Sequence, residues 1–106
     1  MIRAEFFTFS DGSQAGFRIG GHAEAGEAGS DPVCAAVSSA AYLTANTITD
    51  VIGAQASAQV KDGCMECRIA PEEAASCAAV LKGLRLHLSE LRRQYPRNIR
   101  IFETEV

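Results

Sequence analysis

The chain has no apolar run approaching the ~20 residues of a membrane span, and its first residues do not form a charged-then-apolar signal sequence. A cytoplasmic protein that does not touch a membrane is the expectation. Positive charge is also scarce: ten Lys and Arg against thirteen Asp and Glu leave a formal net charge of -3. That balance argues against direct nucleic-acid binding through a broad basic face. The one basic cluster, Arg92, Arg93, Arg97 and Arg100, fits a solvated helix end, where cations complement the backbone dipole. No glycine-rich stretch ends in the Lys-Ser or Lys-Thr of a phosphate loop. The four cysteines, Cys34, Cys64, Cys67 and Cys77, would be free thiols in a reducing compartment, so a disulfide framework is not expected.

At 106 residues, 47% of them hydrophobic, the chain suits a single domain over 1–106 with one modest core. Residues 2–9 and 14–21 have strand composition around the turn Ser10-Asp11-Gly12-Ser13 and read as a hairpin. Ala15, Phe17 and Ile19 alternate with Gly16, Arg18 and Gly20, which gives the second strand one apolar face. A first helix is predicted from Pro32 to about Ile52, stopped by Gly53, with Val33, Val37, Ala40, Ala41, Thr44, Ile48, Val51 and Ile52 on its buried face. Residues 54–60 and 64–70 form a second hairpin about Lys61-Asp62-Gly63. A second helix opens at Pro71, buries Ala74, Cys77, Ala78, Leu81, Leu84, Leu88 and Leu91, and ends at Arg92 and Arg93 before Pro96. With a last strand over 98–106 the order is β-β-α-β-β-α-β. The expected fold class is α+β, a mostly antiparallel sheet with two helices packed on one face.

The chemistry concentrates between His22 and Cys34. Asp31 is a good N-cap and Pro32 a good first helical residue, so Cys34 falls at the third helical position, where the dipole and unpaired N–H groups favour thiolate. Bringing a free thiol of pKa about 8.5 to half-ionisation at neutral pH needs about 2 kcal/mol. The helix end supplies typically 0.3 to 1 kcal/mol, up to ~2 where partly buried. An imidazolium at about 4 Å adds roughly 4 kcal/mol at an effective dielectric of 20. His22 would complete the activation. The small-residue segment 23–30 between them reads either as a plain connector or as a flap hinged at Gly26 and Gly29. Gly20 and Gly21 either relieve crowding at the strand end or let a substrate backbone approach closely.

Cys64-Met65-Glu66-Cys67 has the spacing of a redox or zinc pair, but residues three apart on a regular strand point to opposite faces. Further zinc ligands are also hard to find, since Cys77 and His87 would lie about 15 Å apart along one helix. Structural cysteines are the better reading, with no metal and no cofactor expected. His87, among leucines of the second helix, reads as a surface or boundary residue.

The residues Gly21-His22-Ala23, Gly29 and Asp31-x-Val33-Cys34-Ala35-Ala36-Val37-Ser38 together resemble the ribosomal-processing cysteine proteases of bacteria. The resemblance implies a cytoplasmic, homodimeric, cofactor-free endopeptidase. Its implied substrate is a precursor of large-subunit ribosomal protein L-twenty-seven, cut after a pair of aromatic residues in an N-terminal extension. It makes Cys34 the nucleophile and His22 the general base that later protonates the leaving amine. Asp31 and Ser38 fall on motif positions, Asp31 as a cap that orients the site and Ser38 as support one turn after Cys34. Backbone N–H groups near the helix start would hold the oxyanion. Pro32 stands where the family usually has an aliphatic residue, a benign change at a first helical position. Two other readings compete: a ribosome-associated assembly or binding factor with an inert thiol, and a redox or zinc protein using Cys64 and Cys67.

Overall fold

A computed structural model describes residues 1–21 and 31–106; His22, Gly26 and Gly29 lie outside the described residues. The elements run β1 (Ile2–Thr8), β2 (Gln14–Gly21), α1 (Pro32–Asn46), a π-helical turn (Thr47–Ile52), β3 (Ala56–Lys61), β4 (Cys64–Ile69), a 3-10 turn (Pro71–Glu73), α2 (Ala74–Gln94) and β5 (Ile99–Glu105). The described residues form a five-stranded sheet in the order β3-β4-β2-β1-β5. Three of its pairings are antiparallel, and β5 alone runs parallel to its neighbour β1. This is the α+β class and element order that the sequence predicts.

Local chemistry explains three of the boundaries. In the first hairpin, Asp11 accepts from both the backbone N–H and the hydroxyl of Ser13, fixing the turn. The second hairpin turns on Asp62 and Gly63, both at positive φ (52° and 74°), the paired left-handed conformation that suits a two-residue connection. α2 ends with Arg92 and Arg93 in its last turn.

The core lies between the sheet and the two helices. Ile2, Ala4, Phe6, Phe17, Ile19, Met65, Cys67, Ile69 and Ile99 from the strands meet Val33, Val37, Ala41, Ala45 and Ile48 of the first helical segment and Cys77, Leu81, Leu84, Leu88 and Leu91 of α2. Ala74 and Ala78, predicted as core, are half-buried. Val51 departs further: predicted on the buried face, it is 80% exposed, while Ile48 is fully buried. Thr44, Thr47 and Thr49 each donate a hydroxyl to the carbonyl four residues earlier. Such back-bonding competes with the helical ladder, and here the helix widens into its π-helical last turn. The wider turn breaks the 3.6-residue period and swings Val51 to solvent. Gly53 still terminates it, at φ 70°.

The opposite sheet face carries charge. Arg18 pairs with Glu5 at 2.8 Å and with Glu66 at 3.7 Å, and Arg68 lies 4.2 Å over the ring of Phe7, which is only 2% exposed. Glu5 also accepts from the Thr104 hydroxyl at 2.6 Å. That hydrogen bond, with the Arg18 guanidinium behind it, holds the Glu5 carboxyl below its usual range. No described helix is long and apolar enough to cross a membrane.

Candidate active site

Cys34 is the third residue of α1, and the cap that places it forms as the sequence predicts. The Asp31 carboxylate accepts from the N–H of Val33 at 2.9 Å and of Cys34 at 3.1 Å through one oxygen, and the Asp31 carbonyl accepts from Ala35 at 3.1 Å. Asp31 is itself buried, at 8% exposure. Pro32 has no N–H to satisfy, so every donor of the first turn is engaged. This corrects the expectation that N–H groups at the helix start stand ready for an oxyanion: Asp31 occupies those of Val33 and Cys34. Its charge also sits against the positive end of the helix and offsets it.

Half-buried Cys34 opens onto a cavity of about 150 Å³, shared with Ser38, Ala41 and Tyr42 of α1, Gly20 and Gly21 of β2, and Ile2, Val60, Gly63 and Met65. The fold thus joins four of the candidate residues, Gly20, Gly21, Cys34 and Ser38. Gly21 adopts φ 92°, and a Cβ there would collide with the carbonyl of Met1. A Cβ on Gly20 would stand 3.2 Å from the Cys64 sulfur. Glycine at 21 lets β2 end tightly against the start of β1, and glycine at 20 leaves room for the Cys64 side chain on the charged face. His22 follows Gly21 in the sequence and lies outside the described residues.

Sequence reasoning missed Tyr42, Val60 and Gly63. The spacing Cys34, Ser38, Tyr42 follows one helical face and was a usable signal. Val60 and Gly63 carried none, because they reach the cavity only through the pairing of β3 with β4 and of β4 with β2.

The other thiols lie apart in character. Cys64 is half-buried on the charged sheet face and Cys67 fully buried on the helix face, so the two sulfurs point away from each other. Burial pushes the Cys67 thiol up to about 11, with Cys77 nearby adding to the rise. A thiol held neutral in this way is a poor nucleophile. His87 is exposed on α2, where it lines a groove between the helices and not the Cys34 cavity.

A thiol at a capped helix start, facing a strand end stripped of side chains, has the layout of a cysteine-dependent hydrolase built on an α+β sandwich. The family model for cysteine protease Prp matches residues 1–100, and the chain belongs to that family. It is therefore a cysteine-type peptidase. Solved structures agree in fold. The essential ribosomal processing protease Prp from S. aureus with a covalently linked product peptide superposes with a TM-score of 0.88 at 24% identity, over 97% of this chain and 99% of that one. The same S. aureus protease with a substrate peptide gives 0.83 at 23% identity, over 97% and 99%. SMU.848 from Streptococcus mutans gives 0.80 at 23% identity, over 100% and 96%. A search of curated protein sequences gave no match.

Proposed function

We propose that this peptidase removes the N-terminal extension from a large-subunit ribosomal protein precursor, of the kind exemplified by ribosomal protein L-twenty-seven, with Cys34 as nucleophile and His22 as general base. The observation that carries the reading is the placement of Cys34, at a capped helix start and open to a cavity floored by Gly20 and Gly21, in a chain of the cysteine protease Prp family. Support for the substrate class comes from the S. aureus relatives, described as ribosomal processing proteases and solved with product and substrate peptides.

In this mechanism the Cys34 sulfur attacks the scissile carbonyl, the amine leaves with a proton from His22, and water hydrolyses the acyl-enzyme. Asp31 positions the nucleophile by holding the first turn, and Ser38 borders the cavity one turn on. The glycine pair gives an extended peptide room beside the sulfur; the flap reading of Gly26 and Gly29 lies outside the described residues. The enzyme works in the cytoplasm as a homodimer, without a cofactor and without direct contact with nucleic acid or membrane.

The test is mass spectrometry of a synthetic peptide copying the precursor's extension and the first residues of the mature protein. Wild type should cut once, Cys34→Ala should not cut, and His22→Ala should cut far more slowly. In parallel, Cys34 should be alkylated fastest of the four thiols, at a rate that drops in His22→Ala. An intact peptide with wild type, or cleavage undiminished by Cys34→Ala, removes the assignment.

A further inference from the structure

The cleft at Cys34 continues along one side of α1 to the free edge of the sheet. Among the described residues β3 is the outer strand, paired only with β4. Which of its backbone groups face outward follows from one hydrogen bond. Ala70 donates to the carbonyl of Gln55 at 3.0 Å, and the register pairs Ala56 with Ile69, Ser57 with Arg68, and so on to Lys61 with Cys64. In an antiparallel ladder, hydrogen-bonded and non-bonded pairs alternate. Ser57, Gln59 and Lys61 therefore point their N–H and C=O groups inward to β4, and Ala56, Ala58 and Val60 point theirs outward. Nothing on β3 blunts this edge: the strand ASAQVK has no proline and no bulge, and only Lys61, at its end, is charged.

The edge is also continuous with the site. Val60 is 56% exposed and Tyr42 49% exposed, and both border the Cys34 cavity, as does Gly63 in the turn that follows β3. A chain lying along β3 meets alternate rungs of free backbone, and beside Val60 it enters the cavity that contains the sulfur.

Resting on the peptidase reading above, we infer that β3 is the substrate-docking edge: an extended segment of the polypeptide substrate flanking the scissile bond adds to the sheet as a sixth strand, hydrogen-bonded to Ala56, Ala58 and Val60. Recognition by main-chain rungs carries affinity without demanding particular side chains, so it holds the backbone while the cavity reads the residues beside the cut.

Two measurements test this. Amide exchange is followed by NMR in Cys34→Ala protein, free and with the synthetic precursor peptide. The Ala56, Ala58 and Val60 amides should exchange fast in the free protein and slow at least tenfold when peptide is added, whereas Ser57, Gln59 and Lys61 should be slow throughout. Then the peptide is N-methylated one position at a time, and kcat/KM with wild type should fall about tenfold at every second position of the docked segment. Cleavage or binding of the peptide with unprotected outward amides, and uniform tolerance of N-methylation, overturns the docking edge while leaving the peptidase reading intact. Protection that grows with protein concentration and not with peptide assigns the edge to a second copy of the chain and also overturns it. A peptide neither bound nor cleaved defeats both.

Discussion

α1 and α2 each carry a cysteine near their start, Cys34 as the third residue of one and Cys77 as the fourth of the other, and the two thiols meet different surroundings. α1 is capped by the Asp31 carboxylate; α2 enters through a 3-10 turn with no side-chain cap. α1 is built largely from alanine, serine and threonine, packs on the sheet, and leaves Cys34 facing a cavity. α2 presents a ladder of leucines, and Cys77 is fully buried beneath it near Cys67. A cysteine at a helix start is thus no site in itself. What separates the two is whether the opposing strand ends in glycines, as β2 does at Gly20 and Gly21, or continues as packed core, as β4 does at Cys67.

The widest expected gap between the two helices is in thiol accessibility. In native protein, Cys34 should react with iodoacetamide at least about a thousandfold faster than Cys67 and Cys77, which become reachable only through unfolding of the core. Residue-resolved mass spectrometry of a labelling time course checks this, and comparable rates would erase the distinction. The next effect is packing. Leu81→Ala should cost about 2 to 5 kcal/mol because Leu81 is fully buried, whereas Leu43→Ala on the open face of α1, 69% exposed, should change stability by less than about 0.5 kcal/mol. Urea midpoints measure both.

A pH effect belongs to the buried thiols. Burial pushes the Cys67 thiol up to about 11 in the fold, well above the range of an exposed thiol. Its neutral form is the one the core accepts, so its contribution to stability is complete below pH 9. As pH rises from 9 to 11 the unfolded chain loses the proton first, and stability falls by up to about 2 kcal/mol. The difference between wild-type and Cys67→Ala urea midpoints should shrink across that window; a constant difference would contradict the assignment. A smaller effect than either the leucine core or the buried thiol is the cap. Asp31→Ala should cost about 1 kcal/mol and Asp31→Asn less, since the amide oxygen can still accept. If capping is the whole of its role, Asp31→Asn should keep most of the peptidase activity, and a collapse of kcat in a folded Asp31→Asn protein would give the charge a part in the chemistry.

The sequence alone determined the parts whose causes are local. Asp31-Pro32 started α1 and set Cys34 at its third position; Asp62-Gly63 set the second hairpin; the leucine spacing set the buried face of α2. Caps, turns and periodicity act over three or four residues, so they can be read from neighbours. The π-helical turn escaped, because Thr44, Thr47 and Thr49 rewrote the period from within and sent Val51 outward. Tertiary structure decided the rest. It brought Ile2, Val60 and Gly63 to a cavity started by residues far from them in the chain, placed Cys64 and Cys67 on opposite faces of the sheet, and left β3 as an edge. Strand order follows from burying one apolar face of each strand beneath two helices at once, and that constraint is satisfied only by the whole chain.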